Sequence, residues 1–222
     1  MESVNHGQHH EHHHHDFSET ETLGGAFFLN LTFTLIEIAG GLWTNSVAII
    51  ADALHDAGDS LALGLAWYLQ KASGKERDQQ FSYGYGRLSL LAALINGMVL
   101  LVGSFVIIMH VIPRFFASQA VDATGMVGLS LLGIAFNGFA FWRNRSSQSL
   151  NAKMVNWHLL EDVLGWTIVL IGSIIMHFGD YSWLDPLMAL GVTLFILWNV
   201  SKSLGRVIKI FLQSNPEDVD LL

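Results

Sequence analysis

The chain has 222 residues, of which 51% are hydrophobic and 14% charged, and its formal net charge is −8. A soluble domain carries about 25% charged residues, so this is a membrane protein's composition, in one domain or at most two small ones. The absence of cysteine excludes disulfides, thiolate metal sites and a thiol nucleophile, and the acidic balance offers no basic face for nucleic acid.

The chain opens on "HGQHHEHHHHD", with imidazoles at His6, His9, His10, His12, His13, His14 and His15. Such a tract reads as metal binding. An expression tag is the alternative, but Glu11 and the Gly-Gln pair interrupt the run. The basic and apolar regions of a cleavable signal are not present. Residues 1–22 are therefore predicted to be a disordered tail that captures or delivers metal.

Six membrane spans follow, at 23–42, 46–70, 88–112, 122–142, 152–177 and 183–208. Each meets the requirement of ~20 mostly apolar residues for a bilayer core of ~30 Å. The alternating segments of ~10 residues that a transmembrane barrel needs are missing. The predicted fold is an all-α integral membrane protein, with a six-helix transport domain over 23–212 and a tail over 213–222.

Lys and Arg favour the cytoplasmic side of a membrane. Of the 11 basic residues, all but Arg114 flank the loops between spans 2 and 3 or 4 and 5, or lie at the end of span 6. Both termini are thus predicted to be cytoplasmic. Trp43, Trp142, Tyr181 and Trp183 fall near the expected interfaces, where amphipathic rings belong.

Span 2 contains "ADALHDAGDS", with three acids and a histidine. An acid at the centre of a membrane helix costs ~2.5–3.5 kcal/mol on insertion scales, an expense that points to function. His55 and Asp59 are spaced i and i+4, so they project from one helix face. Span 5 repeats the spacing in "NWHLLEDVLGW", with His158 and Asp162. The two spans run in opposite directions, so the His of each can lie beside the Asp of the other. Two nitrogens and two carboxylate oxygens make a tetrahedral set that Zn²⁺ accepts at ~2.0–2.2 Å. The predicted heights do not quite agree. His55 lies near the midplane and His158 closer to the cytoplasm, and an earlier start of span 5, at Ser149, would bring them closer.

On these residues the sequence resembles the cation diffusion facilitator family. "NSVAIIADALHDAGDSLALG" and "HLLEDVLG" look like that family's second- and fifth-helix signatures, and "FSYGYGRLSLLAALING" is similar to its approach to the third helix. The resemblance covers nearly the whole chain. It implies a homodimeric exporter in the lipid bilayer of a bacterial inner membrane, exchanging a divalent cation for H⁺. It also implies that His55, Asp59, His158 and Asp162 form the transport site. His at the first position of both pairs resembles the zinc-preferring pattern, with Cd²⁺ and Co²⁺ as further candidates. Imidazole suits Zn²⁺, and all-oxygen sites suit harder ions. Family members usually continue into a soluble cytoplasmic metal-binding domain. Here the sequence stops at "QSNPEDVDLL", where that domain would begin, so it is either naturally absent or cut away.

The remaining polar residues divide more evenly. Asp52 shares the stripe of Asp59 and either supports the ligands, leads to the outer mouth, or bonds to a neighbouring helix. Asp56 and Glu161 sit about 100° from their neighbouring ligands and are expected at helix–helix contacts. Glu37 and Asn30 in span 1 either line the same cavity or hydrogen-bond between helices. Because metal binding requires neutral imidazole and ionised carboxylate, protons compete for the emptied site without covalent chemistry. An intramembrane metalloenzyme, which needs an open coordination position and a general base, and a metal sensor without transport are the rival readings.

Overall fold

A computed structural model describes residues 13–73, 86–117, 119–145 and 150–212. Among them there are six helices: α1 (His13–Thr44), α2 (Val47–Ser73), α3 (Gly86–Phe116), α4 (Ala123–Asn144), α5 (Leu150–Phe178) and α6 (Leu184–Phe211). No strand occurs among the described residues. Five helices contain a stretch long and apolar enough to cross a membrane; α2 is not among them. The polar side chains that single out α2 in the sequence, Asp52, His55, Asp56 and Asp59, also lower its hydropathy.

The helices overrun the predicted spans. The clearest case is α1, which starts at His13 rather than 23. Its 32 residues reach about 48 Å at 1.5 Å per residue, well beyond a bilayer core of ~30 Å. Its apolar stretch covers only Gly24–Thr44. The backbone hydrogen-bond ladder does not stop where the apolar run stops, so part of the tail predicted to be disordered continues the helix. Residues 1–12 and 213–222 lie outside the described residues, as do the side chains of His13, His14 and His15.

Short connections make sequential helices antiparallel. Asn45 turns α1 into α2 with φ 55°, a left-handed conformation that Asn tolerates better than most residues. Asp122 caps α4 by accepting from the Gly125 amide at 3.0 Å. The three pairs α1–α2, α4–α5 and α3–α6 make the most extensive contacts. Helix α1 also packs on α4, and α2 touches α3, α6 and, more lightly, α5. A shared core joins α1, α2, α4 and α5 into one group, and the pair α3/α6 packs against it through α2 and, less extensively, through α5.

Small residues permit the close crossings, as expected where lipid supplies no hydrophobic drive between helices. A Cβ on Gly133 of α4 would meet the Trp166 ring of α5 at 2.3 Å. On the α2–α3 boundary Gly58 faces Leu100 and Gly103 faces Leu54, each at 2.5 Å from the missing Cβ. Phe33, Ile49, Met126, Trp166 and Val169 form the core of the first group. Val47, Ala48, Ala51, Ile107, Val111 and Ala189 seal α2 against α3 and α6. Leu35, Phe105, Met109, Leu164 and Ile168 are exposed around the outside, a surface suited to lipid.

Candidate metal centre

The antiparallel crossing of α2 and α5 brings the two i, i+4 pairs together. Asp59 Oδ2 lies 3.2 Å from His158 Nε2 across the helices. Within α2, His55 Nε2 is 3.8 Å from the same oxygen. Within α5, Asp162 Oδ2 is 3.6 Å from His158 Nε2. The imidazole centroids are 6.0 Å apart and inclined at 72°. His158 is thus level with Asp59, one turn or about 6 Å nearer than His55 to the end that carries the described chain ends, so the difference in height expected from the spans is present and amounts to a single turn. The same register sets Asp52 opposite Gly165, whose missing Cβ would stand 3.8 Å from Asp52 Oδ1.

Among the described residues, His55, Asp59 and His158 offer ligand atoms all within 4.8 Å of one another. Asp162 touches His158 from outside that group of three. Tetrahedral coordination at ~2.1 Å separates neighbouring ligand atoms by about 3.4 Å, close to the 3.2–3.8 Å seen between these side chains. Both ring nitrogens of His55 and Oδ2 of Asp59 are buried without a hydrogen-bond partner. The groups converge without satisfying one another, an arrangement that a cation would complete.

The other sequence candidates separate into different surroundings. Asp56 turns away from the ligand stripe and is buried, and the backbone carbonyl of its residue accepts from Asn30 Nδ2 at 3.1 Å. Asn30 also donates to Ser60 Oγ at 3.0 Å. Glu37 is buried beside Asp56, and neither of its carboxylate oxygens has a donor other than that neighbouring acid. Glu161 is exposed on the outer side of α5, so the helix contact expected of it is not made. The reason is geometric: α5 packs against its neighbours on the side that carries His158 and Asp162, and a rotation of about 100° per residue carries Glu161 outward.

A cavity of about 410 Å³ leads away from the cluster. It runs between α2, α3 and α6, past Asn96, Leu100, Asn199 and Ser203, toward the end of the bundle that carries the described chain ends. Asn96 Oδ1 is buried there without a partner. Sequence reasoning did not single out Asn96, Asn199 or Ser203, and a lone amide or hydroxyl in an apolar span gives little signal. It also passed over Asp185, whose oxygens are fully buried against α2. The sequence cue was an acid at the start of span 6, beside Pro186.

Comparison with known proteins agrees with this architecture. Residues 25–212 match the cation efflux transmembrane domain. The chain is 32% identical over 203 residues to a cadmium, cobalt and zinc/H⁺–K⁺ antiporter of Bacillus subtilis, covering 88% of this chain and 64% of the relative. It is 29% identical over 207 residues to the zinc transporter ZitB of Yersinia pseudotuberculosis, covering 92% and 66%. It is 30% identical over 198 residues to the metal cation efflux system protein CzcD of Cupriavidus metallidurans, covering 88% and 63%. The chain therefore spans a little under two thirds of the length of these relatives.

Proposed function

The chain belongs to the cation efflux family, and from that premise we propose that it carries Zn²⁺ out across a bilayer in exchange for H⁺. The observation that carries the proposal is the convergence of His55, Asp59 and His158, with Asp162 beside them, at the crossing of two membrane helices. Nitrogen and oxygen donors in equal number suit Zn²⁺, and Cd²⁺ and Co²⁺ are the further candidates. The relatives named for zinc, cadmium and cobalt support this cargo.

The coupling follows from the ligands. Zn²⁺ needs neutral imidazole and ionised carboxylate, so binding expels protons and release invites them back. A free imidazole titrates at ~6.5, within reach of physiological gradients. If the site faces each side in turn, the same competition drives metal one way and protons the other. The cavity below His55 and Asp59 is the path by which the site communicates with the side of the basic residues, which we assign to the cytoplasm. The working unit in this reading is a homodimer in a bacterial inner membrane.

Proteoliposomes with an imposed pH gradient test the reading. Zinc uptake into an acid-loaded lumen should follow the gradient and alkalinise the lumen in step, as protons leave in exchange. His158→Ala and Asp59→Ala should insert normally and lose zinc flux to the level of empty vesicles. Flux equal to that of the unmodified chain in both variants would remove these residues from the site. Zinc movement indifferent to the gradient would remove proton exchange.

A further inference from the structure

We propose that Asp185 and Arg114 form a clamp that holds the far end of the metal path shut, and that every transport cycle breaks it. The proposal rests on the alternating-access reading above. On the side of the chain ends the path runs between α2, α3 and α6, and in this proposal it continues between the same helices beyond the site. Toward the chain ends these helices part to form the cavity. Toward the other end they close on Val47, Ala48, Ala51, Ile107, Val111 and Ala189. Beyond that apolar seal stands the clamp.

Asp185, at the start of α6, is 0% exposed. It accepts from Ser46 Oγ at 2.5 Å and from the backbone amides of Val47 at 3.0 Å and Ala48 at 3.2 Å. It thereby caps α2, the helix that carries His55 and Asp59, from a different helix. An anion at a helix N-terminus satisfies orphan amides and meets the positive end of the helix dipole. Arg114, in the last turn of α3, lies 3.8 Å from Asp185. It also donates to Asn45 O at 2.7 Å and to Asn45 Oδ1 at 2.8 Å. The α1–α2 turn at Asn45 and the first turn of α2 are thus held by α3 and α6 respectively.

The bonds from Asp185 to Ser46, Val47 and Ala48 and from Arg114 to Asn45 cross the boundary between α1/α2/α4/α5 and α3/α6, whereas the Arg114–Asp185 contact joins α3 to α6. Opening the far end by moving one group against the other must break the crossing bonds, whereas bonds inside a group survive. Their polar character makes them reversible. In the dry seal a buried carboxylate needs its partners, but once water enters, each donor and acceptor exchanges its partner at little net cost. Asp185 and Arg114 act on transport through the position of α2, without touching the metal.

The natural lack of cysteine permits a direct test. In full-length protein carrying Ser46→Cys and Asp185→Cys, oxidation replaces the clamp with a covalent link. Zinc flux in proteoliposomes should fall to that of empty vesicles and return on reduction. A link that merely stabilises the fold predicts an oxidised pair at least as active as the reduced one, and that result overturns the proposal. Should the pair not insert, Ala51→Cys serves, since Ala51 is 0% exposed within the seal. Adding Arg114→Gln should speed its reaction with an impermeant maleimide on the far side by roughly fivefold, at the lower end of ordinary coupling. Arg114→Lys should restore most of the protection, and equal rates in all three backgrounds overturn the clamp. Absence of zinc flux in the unmodified chain would instead sink the transport reading, and the labelling rates would still judge the clamp.

Discussion

The groove between α2, α3 and α6 has two halves that share their walls and differ in what fills them. Below His55 and Asp59 it is a cavity bordered by Ala62, Ala92, Ala93, Asn96 and Ser203. Above them it is packed shut by Val47, Ala51, Ile107 and Ala189, with Asp185 beyond. The contrast places the cluster of His55, Asp59 and His158, the site in the transport reading proposed above, at the boundary between accessible and sealed space. A carrier needs its site there, because a small relative movement of two helix groups then exchanges which half is open. The asymmetry also has a chemical side. The open half holds an amide without a partner, Asn96 Oδ1, whereas the carboxylate in the sealed half has several.

The strongest way to break this comparison is to fill the open half. Ala93 lines the cavity, and Ala93→Trp adds an aromatic side chain able to cover about 150–250 Å². Zinc flux in proteoliposomes should fall to that of empty vesicles, with the ligand residues untouched. The same substitution at exposed Ala135 of α4, outside the groove, should leave flux near that of the unmodified chain. Equal flux in the two variants would show that the cavity is not the path.

The sequence made one half of this picture legible and hid the other. The convergence of the histidine and aspartate side chains was readable because its geometry is local: i, i+4 spacing sets the stripe, and antiparallel spans set the pairing. His55, Asp59 and His158 converge as that reasoning requires, and Asp162 joins at His158. The helices were readable from apolar length, although α1 runs on past its apolar run because hydrogen bonding continues into water. The clamp was not readable, because Ser46 and Asp185 are 139 positions apart and meet only through packing. One trace of it was present. Arg114 is the sole basic residue on the far side, and the structure uses it there to hold Asn45 and approach Asp185. Glu161 shows the opposite failure: its charge drew attention, but nothing in the spacing told which side of α5 faces the bundle.

A smaller effect should follow from changing the ligand at the boundary of the two halves. His55 Nε2 shares Asp59 Oδ2 with His158, so His55→Asp leaves one nitrogen donor among oxygens. Harder ions gain by that exchange. The ratio of manganese to zinc flux should rise by about tenfold, equivalent to ~1.4 kcal/mol. Both ions need measuring in the same vesicles under the same gradient. An unchanged ratio would mean that selectivity is set elsewhere along the groove.

The least effect is expected from the histidine tract that precedes α1 in the chain. Helix α1 begins at the end of the bundle toward which the cavity leads, and His6, His9, His10 and His12 precede it in the chain. Such imidazoles can hold zinc weakly and raise its local concentration, as any tethered site does. They add nothing once the membrane site is saturated. Deleting residues 2–12 leaves the described part of α1 intact and should raise the apparent KM for zinc by about threefold, a modest loss of effective concentration, with little change in Vmax. The measurement is a full zinc titration of initial flux, since one concentration cannot separate the two constants. Loss of flux at saturating zinc would make the tract part of the obligatory path and extend the open half beyond the helices. An unaltered curve at every concentration would mean that the tract takes no part in delivering metal to the cavity, and the open half would then begin at the cavity itself.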